Sequence, residues 1–120
     1  MTWPEAFVWT LALELPVYTA FLRRAFRPWW GPVALTFAVN VATHPLLWIF
    51  LPREDPSRLW LALFEGLVAL VEAGLVALAL VRLGSPPVAP RAALGRGLAA
   101  AVLANGLSLS SGLVKEWLGW

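Results

Sequence analysis

Residues 37–48, FAVNVATHPLLW, set polar groups inside an apolar run long enough to cross a bilayer. Asn40 and His44 stand four apart, hence on one helical face, with Thr36 and Thr43 flanking it. His44 is the only histidine in the chain, and Pro45 follows it directly. That proline frees the Val41 carbonyl and predicts a kink. Polar and ionisable groups at membrane depth are costly unless partnered, so the rest of the chain has to supply partners. Three other apolar segments do so, with Glu14, with Glu65 and Glu72, and with Asn105 and Ser108.

Composition agrees with a membrane setting. The chain has 120 residues, 60% hydrophobic and 13% charged, and a single domain this small could not hide so much apolar surface in water. A net charge of +2, with arginines grouped at segment ends, sets topology and argues against nucleic-acid binding. Cysteine is absent, which removes thiolate chemistry and disulfides. With no basic leader before it, the first apolar stretch is expected to be a retained helix.

Outward from the central stretch, the caps and breakers predict four spans. Helix 1 covers about residues 3–22 and opens on Thr2-Trp3-Pro4-Glu5, a capping box with proline in the first turn. Glu14 lies near its middle, and Pro16 predicts a second kink beside it. Helix 2 covers about 29–51. Helix 3 covers about 57–83, with Asp55 as the expected N-cap and Pro56 at the first helical position. Its small residues Ala62, Gly66, Ala69, Ala73 and Ala77 recur at spacings that admit close helix approach. Helix 4 covers about 90–117, with Ala101, Asn105, Ser108 and Gly112 as its small and polar face. The expected fold is all-α, an integral membrane four-helix bundle forming one four-span domain with helices 1 and 2 kinked at Pro16 and Pro45.

Basic residues concentrate in the links after helices 1 and 3: Arg23, Arg24 and Arg27, then Arg82, Arg91 and Arg96. The positive-inside rule therefore places both termini outside the cytoplasm of a bacterial inner membrane. Tryptophans at segment ends read as interfacial anchors, whereas Trp9 sits deeper and reads as packing. With this topology the helical rise places His44 and Glu65 about 10 Å deep, Glu14 and Asn40 about 15 Å, and Glu72 and Asn105 about 20 Å. His44 and Glu65 are expected to be direct or one-water neighbours that share a proton.

Glu14, Asn40, His44, Glu65, Glu72, Asn105 and Ser108 are thus the candidate ion- or proton-binding residues. A ladder of titratable groups separated by short steps suits proton or cation movement, with protons or a bound cation as the only cofactor-like species. A non-catalytic small subunit held in a larger membrane complex, or in a homo-oligomer, is the alternative, since buried polar groups also serve as interhelical glue. Catalysis is the remote reading. One histidine excludes a two-histidine zinc site; a metal held by His44, Glu65 and Glu14, or a hydrolase pairing Ser108 with His44, remains.

Glu14-Leu15-Pro16, Asn40-x-x-Thr43-His44-Pro45-x-x-Trp48, Val71-Glu72-Ala73, and Asn105 with Ser108 resemble the pattern of small bacterial four-helix membrane proteins of uncharacterised function. That resemblance spans nearly the whole chain and implies a fold without an activity. In length, helix number and the glutamate of helix 1 the chain is also similar to small multidrug resistance transporters. His44, Glu65, Glu72 and the two in-helix prolines depart from them, so the similarity does not carry substrate export.

Overall fold

The computed structural model describes residues 2–50 and 57–119. Four helices follow in order: α1 (Trp3–Leu22), α2 (Gly31–Phe50), α3 (Arg58–Leu83) and α4 (Pro90–Leu118). The described residues contain no strand, and each helix is long and apolar enough to cross a membrane. Each helix packs on its neighbours in chain order, and α4 closes the ring on α1. The α3/α4 seam is the most extensive and the α2/α3 seam the least.

Local chemistry sets the helix ends. At the start of α1 the Thr2 amide donates to Glu5 Oε2 at 2.6 Å, the glutamate half of the expected capping box. α2 begins two residues later than the sequence suggests, because residues 28–31 form a turn closed by the Gly31 amide on the Pro28 carbonyl at 3.0 Å. A Cβ on Gly31 would meet Phe26 Cβ at 2.8 Å, so glycine is what lets α2 start there. α3 is capped by Ser57, whose hydroxyl accepts from the Trp60 amide at 3.3 Å; Asp55 and Pro56 lie outside the described residues, as does Leu51 at the expected end of helix 2. α1 and α2 both continue through their internal prolines, Pro16 and Pro45. Gly119 ends α4 in the left-handed region at φ 74°.

The bundle differs at its two ends. Around the C-terminal half of α1 and the N-terminal half of α4, Tyr18, Leu22, Val76, Leu80, Ala93 and Ala100 are fully buried and form a dry core. The Ser85 amide donates to the Ala25 carbonyl at 2.7 Å and ties the α3–α4 link to the end of α1. Apart from Thr36, whose hydroxyl donates to the Pro32 carbonyl, the buried polar side chains gather at mid-bundle and toward the other end. Outward-facing leucines such as Leu63, Leu67, Leu70 and Leu78 leave an apolar exterior, as a bilayer requires.

Small residues act on only part of the α3 stripe. Ala69 and Ala73 are buried, Ala73 with its carbonyl against Gly97 of α4, while Ala62 and Gly66 are exposed and nothing lies near the open side of Gly66. The closest approach is at Gly97, where an added Cβ would stand 2.5 Å from the Ala73 carbonyl oxygen. Backbone cannot move aside there. Gly97→Leu is therefore expected to lower stability by about 1–3 kcal/mol or more, through overpacking. Thermal unfolding in detergent checks this, with Gly95→Leu as the control because Gly95 faces open space.

Candidate functional site

Helical spacing builds the site in two tiers. In the deeper tier, Glu72 of α3 accepts at Oε2 from Tyr18 Oη of α1 at 2.8 Å and from Asn105 Nδ2 of α4 at 2.6 Å. Its Oε1 accepts from Thr43 Oγ1 of α2 at 2.7 Å. One carboxylate thus receives a donor from each of the other three helices. Thr43 Oγ1 also lies 3.0 Å from the Val39 carbonyl, its alternative acceptor one turn back.

Beside this clamp, Asn40 Nδ2 donates to Glu14 Oε2 at 2.8 Å and to the Thr36 carbonyl at 3.1 Å. Asn105 divides its amide hydrogens in the same way, between Glu72 and the Ala101 carbonyl at 3.0 Å. Glu14, Asn40, Thr43 and Glu72 are each about 1% exposed, and Asn105 is 5% exposed. The pairs of like depth, Glu14 with Asn40 and Glu72 with Asn105, are direct hydrogen bonds.

The second tier is less satisfied. His44 and Glu65 both line a cavity of about 510 Å³, together with Glu14, Glu72, Asn105 and Ser108. Of the expected direct or one-water pairing of His44 with Glu65, the direct hydrogen bond is not formed, and the two residues share the cavity wall. The imidazole instead meets the edges or faces of Phe7 and Trp3, at centroid distances of 5.3 Å and 6.1 Å. Its Nδ1 is buried with no hydrogen-bond partner. Helical depth places two residues at one level but leaves their rotation about each helix axis to packing, and here the aromatic residues of α1 take the ring.

Two further expectations change. Ser108 donates to Thr10 Oγ1 at 3.3 Å rather than engaging His44, so the hydrolase pairing is not assembled. Among the described residues no three His, Asp or Glu side chains come close enough to hold a metal ion, and the trio His44, Glu65 and Glu14 is not a ligand set. Trp9 does more than pack: its Nε1 donates to Ser111 Oγ at 2.9 Å, and Lys115 Nζ lies 3.6 Å from its ring centroid.

Tyr18, Thr10 and the donor role of Thr43 were not singled out from sequence. Their signal was the Glu14 face itself, since Thr10 and Tyr18 stand four residues before and four after Glu14. Compared with protein-family models, curated proteins and solved structures, the chain matches none.

Glu72→Ala strands the Tyr18 hydroxyl and one Asn105 hydrogen, at about 1–3 kcal/mol for each buried donor left unpaired. Glu72→Gln keeps an oxygen for both and turns its amide to the Thr43 oxygen, whose own hydrogen passes to Val39. Unfolding in mixed micelles is expected to show Glu72→Ala destabilised by about 2 kcal/mol or more and Glu72→Gln within about 1 kcal/mol of wild type.

Proposed function

We propose that this chain is a small multi-pass protein of the bacterial inner membrane, with both termini outside the cytoplasm, that takes up protons or a cation in its central cavity as part of coupled transport. One observation carries the reading. Glu14, Glu65 and Glu72 face a single cavity that no Lys or Arg lines among the described residues. Carboxyls at membrane depth without a basic partner require either bound protons or a bound cation to balance them. Their arrangement supports exchange between those two states, because among the described residues Glu65 has no hydrogen-bond partner and neither has His44 Nδ1, whereas Glu72 is engaged three times.

The dry core beyond Tyr18 and Glu72 closes the cavity on one side. A site closed on one side suits binding and release through a conformational step better than free conduction. The alternative, a non-catalytic subunit of a larger complex or a homo-oligomer, draws support from the fully engaged Glu72 clamp, which acts as glue.

Proteoliposomes separate these readings. Wild type is expected to move protons or a monovalent cation down an imposed gradient. Glu65→Gln is expected to lose at least nine-tenths of that flux with unchanged thermal stability, since Glu65 bonds no other helix among the described residues. His44→Phe should keep the aromatic contacts with Trp3 and Phe7, fold normally and lose flux as well. Wild-type flux equal to that of empty liposomes, with assembly into a larger complex lost on Glu72→Ala, would favour the subunit role.

A further inference from the structure

Away from the cavity, the bundle carries a strongly charged surface. The end where α1 and α3 finish and α2 and α4 begin bears Arg23, Arg24 and Arg27 on one run and Arg82, Arg91 and Arg96 on another, all exposed. No Asp or Glu occurs between residues 15 and 53 or between residues 73 and 115, so neither run carries its own counter-charge. The described carboxylates lie elsewhere. Glu14, Glu65 and Glu72 line the cavity, while Glu5 in the first turn of α1 and Glu116 in the last turn of α4 stand at the opposite end of the bundle.

Basic residues at segment ends orient a chain wherever they fall, but the fold adds that these two runs meet. The Ser85 amide donates to the Ala25 carbonyl at 2.7 Å, and the Val88 amide donates to the Leu80 carbonyl at 3.1 Å. The first bond fastens the α3–α4 link to the end of α1, and the second folds that link back on α3. Ala25 is buried at the joint. Arg23, Arg24, Arg27 and Arg82 each stand within three residues of Ala25 or Ser85, and Arg91 lies in the first turn of α4 just beyond. Five guanidiniums from two distant runs thus share a corner whose backbone is held together. Trp29 and Trp30, 84% and 56% exposed, follow Arg27 and mark this end as the headgroup layer of a bilayer.

We infer that this corner binds the headgroup of an anionic phospholipid that carries two phosphates. Guanidiniums held close together repel one another until an anion bridges them. One phosphodiester offers two terminal oxygens, room for one or two guanidinium forks, so five guanidiniums match a pair of phosphates better than a single one. Basic clusters at the headgroup level of spanning helices recognise lipid phosphates by this chemistry. A lipid suits the corner better than a free phosphate compound, because Leu78 and Leu83 of α3 and Leu94 and Leu98 of α4 are exposed along the same helix ends, where acyl chains run. The site shares no residue with the cavity.

Native mass spectrometry of the full chain in detergent micelles, titrated with one lipid at a time, tests this. Tetraoleoyl cardiolipin is expected to form a one-to-one complex at least tenfold tighter than dioleoyl phosphatidylglycerol, which has one phosphate, or dioleoyl phosphatidylethanolamine, which has no net charge. Arg24→Gln and Arg82→Gln, one from each run, should each weaken cardiolipin at least threefold and together at least tenfold. Their lipid-free melting temperatures should match wild type, since both side chains are exposed. Should either fail to fold, Arg23→Gln or Arg91→Gln takes its place in the same run. Arg58→Gln, at the opposite end of α3, should change nothing. Phosphatidylglycerol binding as tightly as cardiolipin overturns the paired-phosphate headgroup. An equal loss in Arg58→Gln, or a corner variant from either run that binds cardiolipin like wild type, overturns the shared corner. Inorganic pyrophosphate displacing cardiolipin at equal concentration identifies a site for free phosphates and overturns the lipid as ligand.

Discussion

The Glu72 carboxylate accepts hydrogen bonds from Tyr18, Thr43 and Asn105, one side chain from each of the other three helices. In a bilayer no water competes for such groups, and the hydrophobic effect does not drive one apolar helix onto another. A shared acceptor near the bundle axis therefore does what a greasy core does in a soluble bundle. It fixes the rotation of all four helices at once, because each donor reaches Glu72 only from one face of its helix. Close backbone approach at Gly97 then locks α3 on α4 and leaves α2 the most weakly packed partner.

That clamp also divides the molecule. On one side of it Leu22, Val76, Leu80 and the alanines of α4 fill the interior, and the buried Thr36 hydroxyl donates to the Pro32 carbonyl of its own helix. On the other side the interior opens into the acidic cavity, where among the described residues Glu65 and His44 Nδ1 have no hydrogen-bond partner. The same residue types thus serve two ends. A carboxyl with three donors is architecture.

Much of this was legible in the sequence, for identifiable reasons. Pro4, Gly31, Pro90 and the apolar runs between them mark the helices to within two residues, since caps and breakers act locally. Helical rise is fixed, so depth along the membrane could be read, and it paired Glu14 with Asn40 and Glu72 with Asn105. Rotation about each helix axis could not be read in the same way. His44 and Glu65 share a depth and a cavity yet form no direct hydrogen bond, and Trp3 and Phe7 pack against the imidazole. Tyr18 escaped notice although it is the only tyrosine and lies one turn from Glu14, since an aromatic residue in a span reads first as an anchor or as packing.

Glu72 is the shared acceptor that couples the other three helices to α3. A double-mutant cycle of Tyr18→Phe and Asn105→Leu measures it most directly, by reversible unfolding in mixed micelles. A coupling of about 0.5–3 kcal/mol is expected between these residues, and it disappears when the cycle is repeated in a Glu72→Leu background. Strict additivity in the wild-type background, or a coupling that survives the loss of Glu72, would contradict it.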